Sequence, residues 1–370
     1  MRNKNLKSAK RAKRDEFYTQ LRDIENELKH YKSHFRNKVV YCNCDDPKVS
    51  NFFHYFSYNF EELGLKKLIT TCYKNRNVGI FRQHKELERA AYIEYTGDKN
   101  DNLRPDPEEI EVKYLEGDGD FRSRECVELL KTANIIVTGP PFSLFREYLA
   151  QLVQYNKKFL IVGNKNALTY KEVFPLIKEN KVWLGMGSVR EFEVPNGNRA
   201  KATFCSQRNK WFQKFGNVGW FTNLSHSRRN EELILTKKYT SDEFPHYDNY
   251  DAIEVSKVKD IPKNGGGYMG VPITFLDKYN PEQFEIIGLI NSNSDSGIKE
   301  LKKYDEYIEM RINGSPTGSS GKKTNGNPIL KESDMLENKK KEIIIIPKIK
   351  NEKVYSLYSR ITNKNKNHEN

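Results

Sequence analysis

Between residues 39 and 187 short apolar runs alternate with stretches of helical spacing, and this alternation limits the fold more than any other feature. The runs are VVYC at 39–42, KKLITTCY at 66–73, EVKYL at 111–115, NIIVTG at 134–139, KFLIVG at 158–163 and VWLGMG from 182. Helices are predicted over 15–35, where Leu21, Ile24, Leu28 and Tyr31 recur at helical spacing, and over 49–63, which Gly64 ends. Further helices are predicted around RECVELLKTA, over 144–155 and near 169–179. The pattern predicts an α/β fold on a mostly parallel, doubly wound sheet. Ligands of such sheets sit beyond the carboxyl ends of the strands. That singles out Asp45 and Asp46, Asp118 and Asp120, the segment Gly139-Pro140-Pro141-Phe142, and Gly163-Asn164.

Charge adds a partner class. Lys and Arg number 63 against 50 Asp and Glu, a net +13, which points to a polyanion, nucleic acid first. The 20 Phe and 21 Tyr supply the bulk for a core, so wholesale disorder is excluded. No run approaches the ~18 apolar residues of a membrane span. Five cysteines without a CxxC pair give no zinc signature and fit a reducing cytoplasm. Cys42 and Cys44 fall two apart within a strand and are expected to point the same way. Residues 1–14 hold Lys and Arg but no acid and read as a flexible basic arm, 15–187 as the first domain, and 188–370 as a second region of different texture. Within that region NGSPTGSSGKKTNGNP, at 313–328, reads as a flexible polar loop, EIIIIP as a last strand, and the tail ITNKNKNHEN as frayed.

The sharpest local feature is a strand, then Gly139-Pro140-Pro141-Phe142, then a helix. It resembles the Asn/Asp-Pro-Pro-aromatic motif of methyltransferases that modify exocyclic amines. An adenine N6 amine is a poor nucleophile, because its lone pair is delocalised into the ring. A side-chain oxygen and the next backbone carbonyl hold both amine protons and favour a nitrogen turning tetrahedral, while the aromatic ring stacks on a base flipped from the duplex. Two prolines stiffen such a loop before the base arrives.

The surrounding blocks, among them DEFYTQ, VVYCNCDDP, GDFRS, WFTNL and MGVPITFLDKYNPEQFEIIG, are similar in order and content to the EcoRI-type adenine-specific DNA methyltransferases. The likeness runs from 15 to about 290. It implies a Rossmann-like class I sheet that binds S-adenosylmethionine, with a target-recognition region appended from about 188. It also implies methyl transfer to N6 of a flipped adenine in double-stranded DNA, within a restriction-modification system and alongside a cognate endonuclease. No metal is required, and a monomer suffices. Phe17, Tyr18 and Thr19 would line the methionine end of the cofactor; Asp45, Asp46 and Pro47 its ammonium or ribose; Asp118, Asp120 and Phe121 its adenine. DNA contacts are expected from Asn164, Lys165, Asn166, Arg208, Lys210, Asn223, Arg228 and Arg229.

Plainer readings stand beside these. Phe17–Thr19 could simply open a helix, the Asp pair and the Asn164 segment could cap helices, and GDGD could be a surface turn. One departure bears on activity: the motif's Asn or Asp is Gly139 here, so one amine acceptor is missing. The alternatives are a catalytically silent protein that binds cofactor and DNA, or an enzyme whose amine is held by the Pro140 carbonyl and a water. Methylation of a protein glutamine amide, which uses a related motif with Tyr, is disfavoured by Phe142 and the basic balance.

Overall fold

The computed structural model describes residues 17–44, 50–71, 90–102, 105–106, 108–194, 201–264, 267–290, 298, 307–311, 315–321, 327–331, 343–347, 354–356 and 360–366. By Cα proximity the chain divides into two units, one of residues 1–167 with 182–226 and the other of 168–181 with 227–370.

The first unit is built on a ten-stranded sheet. In chain order its elements are β1 (Tyr18–Thr19), α1 (Leu21–Leu28), β2 (Val39–Asn43), α2 (Asn51–Tyr58), β3 (Lys67–Thr71), β4 (Ala91–Tyr95) and β5 (Ile110–Tyr114). Next come α3 (Arg124–Thr132), β6 (Ile135–Thr138), α4 (Phe145–Gln154), β7 (Lys158–Asn164), β8 (Trp183–Glu193), β9 (Thr203–Cys205) and β10 (Lys210–Thr222). Strand order is β1-β8-β10-β7-β6-β2-β3-β4-β5, with β9 paired to β10. Only β7, β6, β2 and β3 run parallel; every other pairing is antiparallel. The sheet is therefore mixed. EVKYL, expected in the core, forms the outer antiparallel strand β5, where Val112 and Tyr114 are exposed.

The parallel strands are apolar on both faces because both are covered. All four residues of β6 are buried, as are Phe159–Val162 of β7. The α4 helix turns Phe145, Tyr148, Leu149 and Leu152 inward at three- and four-residue spacing. Ser50, rather than an Asp, caps α2 by accepting from the amides of Phe52 (3.2 Å) and Phe53 (3.4 Å). The predicted helix 15–35 begins only at Leu21, because Tyr18 and Thr19 are drawn into pairing with Glu193 and Phe192. Cys44 lies past the end of β2 at φ 71°, so it leaves the strand periodicity shared with Cys42.

One buried carboxylate braces this unit. Glu27, 1% exposed, accepts from the Tyr31 hydroxyl (3.0 Å) and from the amides of Met186 (2.7 Å) and Gly187 (2.6 Å). Three donors replace the water the charge has lost. A β-carbon on Gly185 would collide with Glu27 Oε1, which explains that glycine.

β8 runs through the boundary expected at 187/188, because β8 and β10 complete the first unit's sheet. The second unit holds α5 (Phe174–Lys178) and two smaller sheets. One orders β11 (Ile253–Glu254), β12 (Tyr268–Val271), β19 (Arg360–Asn365) and β13 (Phe284–Ile290). The other orders β15 (Pro316–Gly321), β14 (Tyr307–Arg311), β17 (Ile343–Pro347), β18 (Val354–Ser356) and β16 (Ile329–Lys331).

Two expectations fail here. Pro316–Gly321, within the expected loop, pairs as a strand. The expected frayed tail begins in β19, an interior strand whose Ile361, Thr362 and Asn363 are fully buried. Polar composition concealed it, since ladder pairing on both sides satisfies the backbone whatever the side chains are. Among the described residues no helix is long and apolar enough to cross a membrane.

Candidate active site at the strand switch point

β3 lies on one side of β2 and β6 on the other, so strand order reverses between β2 and β6. Their carboxyl ends, Asn43 and Thr138, open the crevice where such sheets bind ligands. The Thr138 hydroxyl donates to the Asn43 carbonyl across this gap. The Tyr148 hydroxyl, from α4, donates to Asn43 Oδ1. Asn43 is 1% exposed, and its Nδ2 has no hydrogen-bond partner.

Gly139-Pro140-Pro141-Phe142 follows β6 at this point. Pro140 is buried and the other three are half-buried. A β-carbon on Gly139 would sit 3.5 Å from Thr19 Oγ1 and 3.6 Å from Phe52 Cε2, which is ordinary contact. A β-carbon is therefore tolerated at this position. Thr19 is held by β1 and by Asn51 Nδ2, which donates to its carbonyl at 2.7 Å. Its Oγ1 is buried and has no partner. Two unsatisfied buried polar atoms, Thr19 Oγ1 and Asn43 Nδ2, thus lie in the same unit, one beside Gly139 and one at the end of β2. Thr70 Oγ1 and Gln151 Oε1 in this unit are likewise buried without a partner; what sets Thr19 Oγ1 and Asn43 Nδ2 apart is their place, beside Gly139 and at the end of β2.

Aromatic rings close the other side. Phe17 stacks on Phe142 at 5.4 Å, and Phe215 lies edge-on to Phe17 at 4.8 Å and to Phe142 at 6.0 Å. Buried Phe192 completes the group, 5.9 Å from Phe142.

The acidic turn lies after β5. Asp118 is exposed, and its Oδ1 accepts from the Asp120 amide at 3.0 Å. Asp120 is gripped by Arg122 through Nε (2.8 Å) and Nη2 (2.6 Å). Hydrogen bonding to Asp120 is the chief reason that the Arg122 guanidinium is held above its ordinary value. Phe121 is 5% exposed and packs edge-on against Tyr148, the ring that reaches Asn43. Asp45, Asp46 and Pro47 lie outside the described residues.

The expected DNA-contacting residues divide. Asn164, Lys165 and Asn166 lie at the carboxyl end of β7 and immediately beyond it. Arg208 and Lys210 are exposed on the β9–β10 hairpin, each paired to an acid: Glu191 at 3.0 Å and Glu193 at 2.8 Å. Arg208 also lies over the Phe212 ring. Asn223 sits at the opposite end of the sheet, where it accepts from the Phe159 amide (2.9 Å) and donates to the Lys157 carbonyl (2.8 Å). Arg228 is half-buried in the second unit. Arg229 is 8% exposed and donates to the Tyr279 carbonyl (2.8 Å) and Asn180 Oδ1 (2.5 Å). Desolvation holds its guanidinium below the ordinary value. Asn223 and Arg229 thus serve as internal braces.

Asn43, Tyr148, Phe215 and Asn217 were not singled out in the sequence. Asn43 was legible as the last residue of the first parallel strand. Tyr148 was hidden among the inward-facing residues of α4. Phe215 and Asn217 depend on a bulge in β10 between Lys214 and Val218, whose one sequence mark is Gly216. Among the described residues no group of three or more His, Cys, Asp or Glu is placed to hold a metal ion.

Comparison with known proteins gives the family. The family model described as "Adenine-specific methyltransferase EcoRI" matches residues 5–366. The Type II methyltransferase M.EcoRI of Escherichia coli is 54% identical over 293 residues, covering 77% of this chain and 89% of the relative. M.MgeORF184P of Mycoplasma genitalium is 36% identical over 335 residues, 88% of this chain and 98% of the relative. M.MpnI of Mycoplasma pneumoniae is 38% identical over 287 residues, 75% and 83% respectively. No solved structure matches. With a match of this extent and relatives at this identity, the chain belongs to the EcoRI family of adenine-specific methyltransferases.

Proposed function

We infer that this chain is a DNA methyltransferase that modifies N6 of an adenine flipped out of a specific duplex sequence, with S-adenosylmethionine as donor. The observation that carries the reading is Gly139-Pro140-Pro141-Phe142 at the switch point, with the unpartnered Thr19 Oγ1 on one side and the unpartnered Asn43 Nδ2 at the end of the adjoining strand.

Those two atoms fit the polar groups of an amino-acid moiety, one as hydroxyl and one as amide donor. Asp118 and Asp120 offer carboxylate acceptors for hydroxyls or an exocyclic amine, and Asp45, Asp46 and Pro47 adjoin Asn43 in sequence. When bound, S-adenosylmethionine supplies a methyl carbon made electrophilic by its sulfonium. The protein supplies placement. One amine N–H donates a hydrogen bond to the Pro140 carbonyl, which keeps electron density on the nitrogen. The Phe142 ring holds the base plane, and buried Phe192 backs it. The prolines hold this arrangement before the base arrives, so little ordering remains to be done.

Basic groups position the DNA phosphates, with residues beyond 188, including Arg228, contributing to target recognition. The enzyme acts as a monomer in the cytoplasm, and a restriction endonuclease reading the same site is its partner. Sequencing DNA from cells that express the chain for N6-methyladenine is the direct test. Absence of methylated adenine, both from this chain and from its Gly139→Asn variant, would remove the reading. A labelled-methyl assay with duplex DNA and protein acceptors side by side separates it from amide methylation. Duplex affinity should fall steeply with salt, and a flat response would count against phosphate contacts.

The missing side chain at Gly139 favours a second reading, a protein that binds cofactor and DNA but transfers methyl slowly or not at all. Duplex and cofactor binding without turnover, restored by Gly139→Asn, is its signature.

A further inference from the structure

Between Lys214 and Val218, β10 advances four residues while its partner β8 advances two, from Glu191 to Val189. Phe215, Gly216 and Asn217 thus stand opposite Arg190 alone and form a bulge. Bulges re-aim side chains and gather beside active sites. This one delivers two different groups to one place. Phe215 joins the ring cluster around Phe142. The Asn217 Nδ2 donates to Asn164 Oδ1 (3.0 Å) and Asn166 Oδ1 (3.1 Å). β7, which ends at Asn164, lies between β10 and β6, the strand that leads into Phe142. The Asn164 amide therefore stands at the end of the strand that the Phe142–Phe215 pair spans.

Hydrogen bonding fixes which way Asn164 presents itself. Its Oδ1 takes two donors, Asn217 Nδ2 and the Asn166 amide at 2.9 Å. Its Nδ2 has only a 3.5 Å contact with Asn217 Oδ1, at the limit of a hydrogen bond. The group with unmet capacity is thus an NH2 donor. On its pairing edge adenine offers a ring acceptor, N1, beside the amine to be methylated, whereas guanine carries N1–H there. A donor facing that edge accepts the first and opposes the second.

We propose that the 215–217 bulge selects the base: Phe215 closes the slot against Phe142, and Asn217 is a positioning residue that aims the Asn164 amide NH2 at adenine N1. This rests on the reading of the niche as a flipped-adenine site. The test uses the full chain and a duplex whose methylated adenine has been located by sequencing, in the Gly139→Asn background should the parent turn over slowly. With 1-deazaadenine at the target, which lacks the N1 acceptor, parent turnover should fall about 10-fold or more. Asn217→Ala should lower turnover on adenine about 10–100-fold, with little change in duplex or cofactor affinity. It should also abolish the penalty for 1-deazaadenine, since the two lost groups act on one contact. Asn217→Asp, equal in shape but unable to donate, should behave like the Ala variant. Phe215→Ala should lower turnover and change the emission of 2-aminopurine placed at the target. An equal 1-deazaadenine penalty in parent and Asn217→Ala, no penalty in the parent, or full turnover in the Asp variant would overturn the role of Asn217. Unchanged turnover and emission in Phe215→Ala would overturn that of Phe215. A parent and Gly139→Asn variant that both fail to methylate duplex DNA would defeat the underlying reading, and this inference with it.

Discussion

Replacing Gly139 with Asn adds back the amine acceptor that the Pro-Pro-Phe segment lacks. The β-carbon meets nothing closer than 3.5 Å, so it forces no shift of the loop by itself. From there the amide can reach Thr19 Oγ1, which is buried without a partner. Giving that hydroxyl a partner contributes about 1 kcal/mol, and the reduced freedom of the unfolded chain adds roughly 0.4–1 kcal/mol. The variant should therefore be no less stable, with a melting temperature equal or slightly higher. In turnover, one preorganised hydrogen-bonding group at the developing charge is worth ~10²–10³-fold, about 3–4 kcal/mol. Incorporation of labelled methyl into duplex DNA, at saturating DNA and cofactor, reads that directly. Duplex affinity should change little, because the added group acts on the amine rather than the backbone. Comparable turnover in both proteins would refute the argument, since it would mean that the Pro140 carbonyl and solvent already hold the amine. A lower melting temperature would refute the claim that the niche has room.

Asn223→Ala should cost about 1–3 kcal/mol in urea unfolding, because it strands the Phe159 amide and the Lys157 carbonyl. Duplex affinity should not change, and a selective loss of DNA binding would contradict the bracing role. Glu27→Ala should cost about 1–3 kcal/mol, since it removes the buried carboxylate that pairs the Tyr31 hydroxyl and the Met186 and Gly187 amides; a melting temperature within a degree of the parent would contradict this. At Glu94, partial burial works to raise the carboxyl, but hydrogen bonds from Lys113 (2.7 Å) and Lys67 (3.2 Å) outweigh it and hold the group below the ordinary glutamate value. The folded-state value is the lower one, so the stabilisation is present above the ordinary glutamate range and lost as pH falls through the folded value. Glu94→Gln should be less stable than the parent at neutral pH, with the gap closing in acid; a gap that widened in acid would reverse the sign.

The sequence disclosed the parallel strands and the ends that matter. Runs such as NIIVT and KFLIVG are buried on both faces, and burial of that kind writes itself as unbroken apolar sequence. It did not disclose the antiparallel flanks, because EVKYL alternates like any half-exposed strand and nothing local states its direction. β19 was missed for the opposite reason: RITNKN is polar, yet it holds an interior place through backbone pairing on both sides. At the site, Gly139–Phe142 could be singled out by its place after a strand and its resemblance to a methyltransferase motif, whereas the Asn164–Asn217 amide pair depends on a bulge that periodicity does not register. Asn223 and Arg229 were legible as polar and basic, but not as groups whose hydrogen bonds are satisfied inside the protein.

The pairing of Tyr18 and Thr19 with the far end of β8 sets a timetable for synthesis. One wall of the niche is translated almost first, but it has no strand to pair with until Phe192 and Glu193 emerge. β8 in turn stays half-paired until β10 arrives. A nascent chain stopped before residue 210 would carry its Pro-Pro-Phe segment without the enclosure around it. The closed niche is thereby withheld from every copy that stops short of β10, through nothing more than the sequence separation of paired strands.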